Sequence, residues 1–219
     1  MRPIFKWLIG IGIFVLAAVM AFAIFEPVQV LPRIRVAPGF TLVDQTGATF
    51  TSEDGRGAVT LYTFLPVDCG DECGAVNETM TEVGRRVTAT VDLAGAEFRQ
   101  VTVALDTSDP EELAAAALAS GADGAVWRWV GADEATLRDV VGEGFRVFYE
   151  ETAEGVEFDP VFVIVDGAGL VRGDYRYATI SSDADRLTRH ISLLGEELRN
   201  SKGAASLVYE AAHIFLCYP

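Results

Sequence analysis

The sequence predicts an α/β three-layer sandwich carried behind an N-terminal transmembrane helix. Three observations predict it. One uncharged run lies near the N-terminus, three short apolar runs rich in β-branched residues span 58–65, 100–105 and 161–165, and the segments after them carry apolar residues at helical spacing. The length of 219 residues and a hydrophobic content of 50% allow one domain of ordinary size plus an appendage. Global disorder and a disulfide-dense scaffold are excluded.

The run WLIGIGIFVLAAVMAFAIF, from Trp7 to Phe25, holds no charge over 19 residues. That is close to the ~20 residues a helix needs to cross the hydrocarbon layer. Arg2 and Lys6 precede it and Glu26 follows, which predicts a single pass with a cytoplasmic N-terminus and an extracytoplasmic domain at the cell membrane. A cleaved signal peptide is the alternative, since Ala21-Phe22-Ala23 has the small-x-small form, but the run exceeds the ~7–15 residues of a usual signal core. Setting aside Arg2 and Lys6 leaves 15 basic against 32 acidic residues, a net charge of −17 on the exported side. Such a surface repels anionic lipid, and without clustered Lys and Arg it excludes nucleic acid as a partner.

Residues 27–38 contain Pro27, Pro32 and Pro38 and no helical period, so they read as an extended stalk. Two short extended pieces follow around Gly47. The run Ala58–Leu65 is apolar throughout, the pattern of a strand buried on both faces. Val76, Met80, Val83, Val87 and Val91 then form one face of an amphipathic helix, and Gln100–Leu105 is a second buried strand. Residues 58–105 thus form a β-loop-α-β unit whose right-handed crossover makes the strands parallel.

Ser108-Asp-Pro110 opens a helix over 111–119, Trp127–Val130 is a short strand, and a helix from Asp133 to Val141 is ended by Gly142 and Gly144. Val161–Val165 is the third buried strand, and Asp166–Gly169 turns the chain back antiparallel through Leu170 to Tyr177. Leu187, Ile191, Leu194 and Leu198 stripe a last helix ending near Asn200. A parallel βαβ half, an antiparallel hairpin and a covering helix make a sandwich of thioredoxin type. The organisation is therefore an anchor over 1–26, a Pro-rich stalk over 27–38, a thioredoxin-like domain over 39–200 and an apolar C-terminal tail over 201–219.

Cys69 and Cys73 fall in Pro66-Val-Asp-Cys-Gly-Asp-Glu-Cys-Gly74, between the first buried strand and its crossover helix. Open parallel sheets place reacting groups beyond the carboxyl ends of their strands, and a helix N-terminus favours a thiolate. Two sulfurs four positions apart can form a disulfide or hold one soft metal ion, provided that they face each other and open to solvent. A loop-stapling bridge would remove little chain entropy, so a structural role explains the pair less well. Asp68, Asp71 and Glu72 surround it; these carboxylates oppose the helix dipole and favour a bound cation over a strongly oxidising thiol.

These residues resemble the SCO/SenC copper-delivery proteins of cytochrome oxidase assembly. The resemblance runs from about Phe40 to Leu198. It rests on Phe40-Thr-Leu-Val-Asp-Gln-Thr-Gly47, the C-x-x-x-C of Cys69 and Cys73, Val103-Ala-Leu-Asp-Thr-Ser-Asp-Pro110, Trp127-Arg-Trp-Val-Gly131 and Val161-Phe-Val-Ile-Val-Asp166. It implies that Cys69 and Cys73 bind copper as Cu(I) or Cu(II), with a cytochrome oxidase subunit or another extracytoplasmic thiol protein as partner. Two departures stand out. The family's third ligand, a His, falls at Phe158, which cannot ligate, and Gly70 and Gly74 stand where each family Cys is usually followed by Pro.

Pro160 falls where thioredoxin-like oxidoreductases carry a cis-Pro facing the active cysteines. A thiol-disulfide oxidoreductase is therefore the alternative, with Cys69 attacking, Cys73 resolving and Pro160 positioning the substrate. A degenerate, non-metal-binding scaffold is a further one, so whether the protein is an enzyme stays open. His213 and Cys217, four apart, are candidate replacement ligands; packing of an apolar tail on the domain or the membrane surface is the plainer reading. His190 reads as a surface or boundary histidine, and Trp127, Trp129 and Phe145 as core aromatics.

Overall fold

The computed structural model describes residues 3–25, 29–68, 70–153, 155–176 and 183–215, with side chains at all of these except 3, 4, 6, 18, 19, 21–25, 72, 204, 214 and 215. Helix α1 spans Pro3–Phe25, 23 residues, and exposes Trp7, Leu8, Phe14 and Leu16. Among the described residues no helix is long and apolar enough to cross a membrane.

The segment read as a stalk does not stand free. Val30 and Leu31 are buried, and β1 (Arg35–Val36) pairs antiparallel with the hairpin strand at residues 170–171. Strands β2 (Thr41–Asp44) and β3 (Thr49–Thr51) form the small hairpin around Gly47, and a short 3-10 turn, Ser52–Gly55, leads to β4 (Ala58–Leu65). Every residue of β4 is buried because both its faces are covered. Val59, Leu61 and Leu65 join one core cluster, while Tyr62 and Phe64 join the other.

Helix α2 (Gly70–Thr90) lays Val76, Met80, Val83 and Val87 on the first face and delivers the chain to β5 (Glu97–Ala104), parallel to β4 from Ala58↔Glu97 to Leu65↔Ala104. Helix α3 (Pro110–Ser120) is capped by the Asp109 carboxylate, which accepts from Glu111 N, and β6 (Trp127–Gly131) adds a third parallel strand. Trp127 and Trp129 are buried core aromatics whose indole N–H groups donate to Thr102 Oγ1 (2.9 Å) and Ser120 Oγ (2.8 Å).

The helix expected over 133–141 takes another form. α4 (Glu134–Leu137) is a single turn, continued through both glycines as a π-helix over Arg138–Phe145. The wider i→i+5 turn brings Val140, Val141 and Phe145 together onto the second core face. Gly144 is needed there, because a Cβ would come within 2.5 Å of Pro38 Cβ.

A separate two-stranded ribbon, β7 (Tyr149–Thr152) with β8 (Gly155–Phe158), has no counterpart in the sequence-based expectation. Strand β9 (Val161–Val165) pairs antiparallel with β4 and with β10 (Leu170–Arg176). The eight-stranded order is β1-β10-β9-β4-β5-β6-β2-β3, with helices on both faces, the predicted three layers.

Helix α5 (Ala184–Arg199), capped by Asp183, buries Leu187, Ile191 and Leu194; its stripe stops there, since Leu198 is exposed. A further helix, α6 (Ala204–Phe215), occupies most of the expected tail and packs on the domain through Ala212.

His190, expected at the surface or the core boundary, is buried at 3% exposure, and its Nδ1 lies 2.6 Å from Tyr175 Oη. Burial first, then the nearby Arg186 and Arg189, push its pKa down from 6.5 to about 4. The unfolded chain therefore takes up this proton before the folded one. Stability from this group is complete above pH 6.5 and falls as pH drops toward 4, by on the order of 2–3 kcal/mol. A urea-midpoint titration of the full chain in detergent should show this loss, and His190→Gln should flatten it. An unchanged slope in the variant contradicts the assignment.

Candidate functional site

The sheet delivers the cysteine loop at the carboxyl end of β4. Leu105 N donates to Leu65 O (3.1 Å), holding the ends of β4 and β5 together, and the next residue on β5's exit, Asp106, accepts from Val67 N at 3.1 and 3.2 Å. Asp106 thus braces Pro66-Val67-Asp68, the approach to Cys69. Burial raises the Asp106 pKa above its ordinary value against the pull of the Val67 N–H, and Glu112 and Glu151 add to the rise.

Cys73 sits in the first turn of α2, disulfide-bonded and 8% exposed, among the side chains of the first core cluster. Its Sγ lies 3.5 Å from Pro66 O, a carbonyl that a Cys73 thiol could donate to once the disulfide is reduced. The expectation of two open sulfurs is corrected for Cys73. It is the first member of the helix stripe 73, 76, 80, 83, 87, and the spacing that buries the valines buries it too. Cys69 and Cys217 lie outside the described residues, so the sulfur bonded to Cys73 does as well. A disulfide sulfur does not titrate, so the expected pull of Asp68 and Asp71 on the thiol concerns the reduced form; both residues are exposed.

Gly70 opens α2 at φ +60°, in the left-handed region. Proline, fixed near −65°, cannot adopt this conformation, which a glycine takes without steric cost.

Phe158 ends β8 opposite Tyr149 and is half-buried, touching both core clusters, including the one that contains Cys73. Pro160 is buried just before β9, whose Phe162 pairs with Thr63 near the carboxyl end of β4. It therefore stands near the carboxyl end of β4. Its peptide bond is trans, however, because no bond among the described residues is cis. The expected cis-Pro is corrected accordingly; Asp159 N donates to Phe148 O and the Asp159 carboxylate pairs with Arg176, which fix this corner instead.

His213 is not at the cysteine site. Its Nε2 lies 3.0 Å from Glu197 Oε1, and Glu197 in turn binds Arg172, which also binds Asp166. Asp166 follows Val165, the partner of Thr60 near the start of β4, five residues or roughly 16 Å from Leu65. The side chain is held there by the partly buried Glu197 carboxylate, which sequence spacing alone does not reveal. Among the described residues no group of three His, Cys, Asp or Glu is placed to hold a metal ion. Asp106 is the site residue missed from sequence; its signal was an acidic residue two positions after the end of a buried parallel strand.

The family model for SCO1/SenC matches residues 29–215. The chain belongs to the SCO1/SenC family. No curated protein matches it. Among solved structures, this SCO1/SenC protein is similar to Arabidopsis thaliana ScoI with copper bound, at 16% identity and TM-score 0.62, over 75% of this chain and 98% of that one. It is also similar to a SCO1/SenC family lipoprotein from Bacillus anthracis, at 19% identity and TM-score 0.63, over 73% and 95%. A third is yeast Sco1 with copper bound, at 13% identity and TM-score 0.61, over 84% and 100%. At these identities the likeness shows the fold.

Proposed function

We propose that this SCO1/SenC protein is a single-pass membrane protein whose extracytoplasmic domain handles copper at Cys69 and Cys73, or resets the redox state of copper-site cysteines, during cytochrome oxidase assembly. One observation carries the reading: Cys73 is a disulfide sulfur in the first turn of the crossover helix, at the carboxyl end of the central strand. With Cys69 as its partner, reduction yields two thiolates, soft donors suited to Cu(I), and oxidation withdraws both. Copper is the cargo here. The relatives described with copper bound, and a Sco family described as cytochrome c oxidase assembly proteins, supply the cargo and the client. The uncharged run in α1 supplies the anchor.

The disulfide also favours a second reading, thiol-disulfide exchange. The Cys69 thiolate attacks a client disulfide and releases one client thiolate. Cys73 then displaces the other, and both electrons of the protein pair pass to the client. The buried position of Cys73 suits a resolving sulfur.

Anaerobic Cu(I) titration of the full chain in detergent, against a competing chelator, tests the proposal. The reduced protein should retain one Cu(I) per chain and the disulfide form none. Retention no tighter than that of a simple dithiol leaves thiol exchange as the function, and neither copper retention nor exchange leaves a binding scaffold. Because Phe158 stands where the family carries its third ligand, Phe158→His should raise Cu(II) affinity at least about tenfold, equivalent to about 1.4 kcal/mol. No gain would show that position 158 does not face the copper.

A further inference from the structure

Helix α6 is apolar on two sides. Ala212 packs inward, while Leu207 (74% exposed) and Val208 point to solvent beside the exposed Ala211. Its single acidic residue, Glu210, is matched by Arg33, whose Nη1 and Nη2 lie 3.1 and 2.8 Å from the carboxylate oxygens. The outward ridge therefore carries no uncompensated charge, on a chain of net charge −15. Arg33 also fixes where that ridge lies: beside the N-terminal segment, at the sheet edge formed by β1 and β10.

The same edge carries more of this kind of surface. Among the described residues, seven large apolar side chains outside α1 are exposed, and four of them, Ile34, Val36, Leu207 and Val208, belong to the N-terminal segment and α6. Patches of this kind mark a contact surface. What covers it follows from the tether. Val30 is already buried in the domain, five residues after Phe25 ends α1. Five extended residues span at most roughly 18 Å, so a domain hanging from an inserted α1 cannot move far from the bilayer, and the edge nearest the attachment is this one.

We infer that the α6–β1 edge seats on the surface of the bilayer that holds α1, with Leu207, Val208, Ile34 and Val36 in the boundary between headgroups and acyl chains. The inference rests on the anchor reading given above. The contact is apolar, so it does not depend on anionic lipid, which the acidic domain repels. Strand β4, which carries the cysteine loop, lies three strand spacings from β1, roughly 14 Å, so seating by the edge leaves the loop open to a protein partner.

The test is photo-crosslinking of the full chain in phosphatidylcholine vesicles, with p-benzoylphenylalanine placed singly at Phe14, Leu207, Val36 or Leu118. Leu118, 83% exposed on α3, is the apolar control away from the edge. Adducts with lipid at 207 and 36 should exceed those at 118 at least fivefold. Lipid adducts at 14 with only the control level at 207 and 36 overturn the seating while the anchor stands. Chain-to-chain adducts at 207 overturn it in favour of a second copy, and absence of adducts at 14 overturns anchor and seating together.

Discussion

Cys73→Ser is expected to lower the Cu(I) affinity of the reduced protein by at least about a hundredfold, equivalent to about 2.7 kcal/mol. Serine is nearly isosteric but offers a hard, neutral oxygen where a soft thiolate is needed. Among the described residues no other metal-ligating group joins Cys73 in a cluster that could take over. Phe158, half-buried and packed against the cluster that contains Cys73, has no donor atom to offer. Because Cys73 is buried in the first core cluster, the hydroxyl also carries a folding cost. Cys73→Ala, which keeps the site apolar, separates the two effects: both variants should lose copper, and Cys73→Ala should keep its urea midpoint. Copper affinity retained in the folded Ala variant would exclude Cys73 as a ligand.

Arg172→Met should destabilise the domain by about 3–5 kcal/mol, the usual consequence of removing one partner from a buried ionic cluster. The guanidinium is 3% exposed and holds four groups: Leu31 O (2.7 Å), Pro32 O (3.1 Å), Asp166 (2.9 Å) and Glu197 (2.7 Å). One side chain thereby ties the N-terminal segment, the β9–β10 turn and α5 to one another, and through Glu197 and His213 reaches α6. Burial pushes the Glu197 carboxyl up, but the hydrogen bonds and charge of Arg172, with His213, outweigh it and hold the pKa below 4.5. Its stabilising contribution is thus complete above pH 4.5 and is lost as pH falls through the lower folded value. In Arg172→Met that acid-side loss should shrink, because the partly buried Glu197 then keeps only Arg33, at 3.5 Å, and His213 as partners. Denaturation curves at pH 7 and pH 4 measure both effects; a variant within 1 kcal/mol of wild type at pH 7 would contradict the central role of Arg172.

Strands β4, β5 and β9 were legible because both their faces are covered, which leaves an apolar run that no other element of that length produces. Helices α2, α3 and α5 were legible from stripes and caps. The π-helix was not, since Gly142 and Gly144 are ordinary helix-stop signals and only the packing of Pro38 against Gly144 shows why the chain continues through them. In the β7–β8 ribbon only β8 alternates, through Val156 and Phe158, too short a pattern to mark a strand, and β7 is mostly exposed. At the site, the position of the cysteine loop followed from strand order alone, and the burial of Cys73 could have been read from its phase in the α2 stripe. The bracing by Asp106, the trans bond at Pro160 and the capture of His213 by Glu197 depend on contacts between distant segments, which local spacing does not encode.

The central claim is that Cys69 and Cys73 form one oxidisable, copper-holding pair. Peptide mapping of the purified, unreduced protein by mass spectrometry, after blocking free thiols, tests it most directly. The account predicts a peptide in which Cys69 and Cys73 are linked, with Cys217 recovered in blocked form. A Cys73–Cys217 link, with Cys69 blocked, would contradict it.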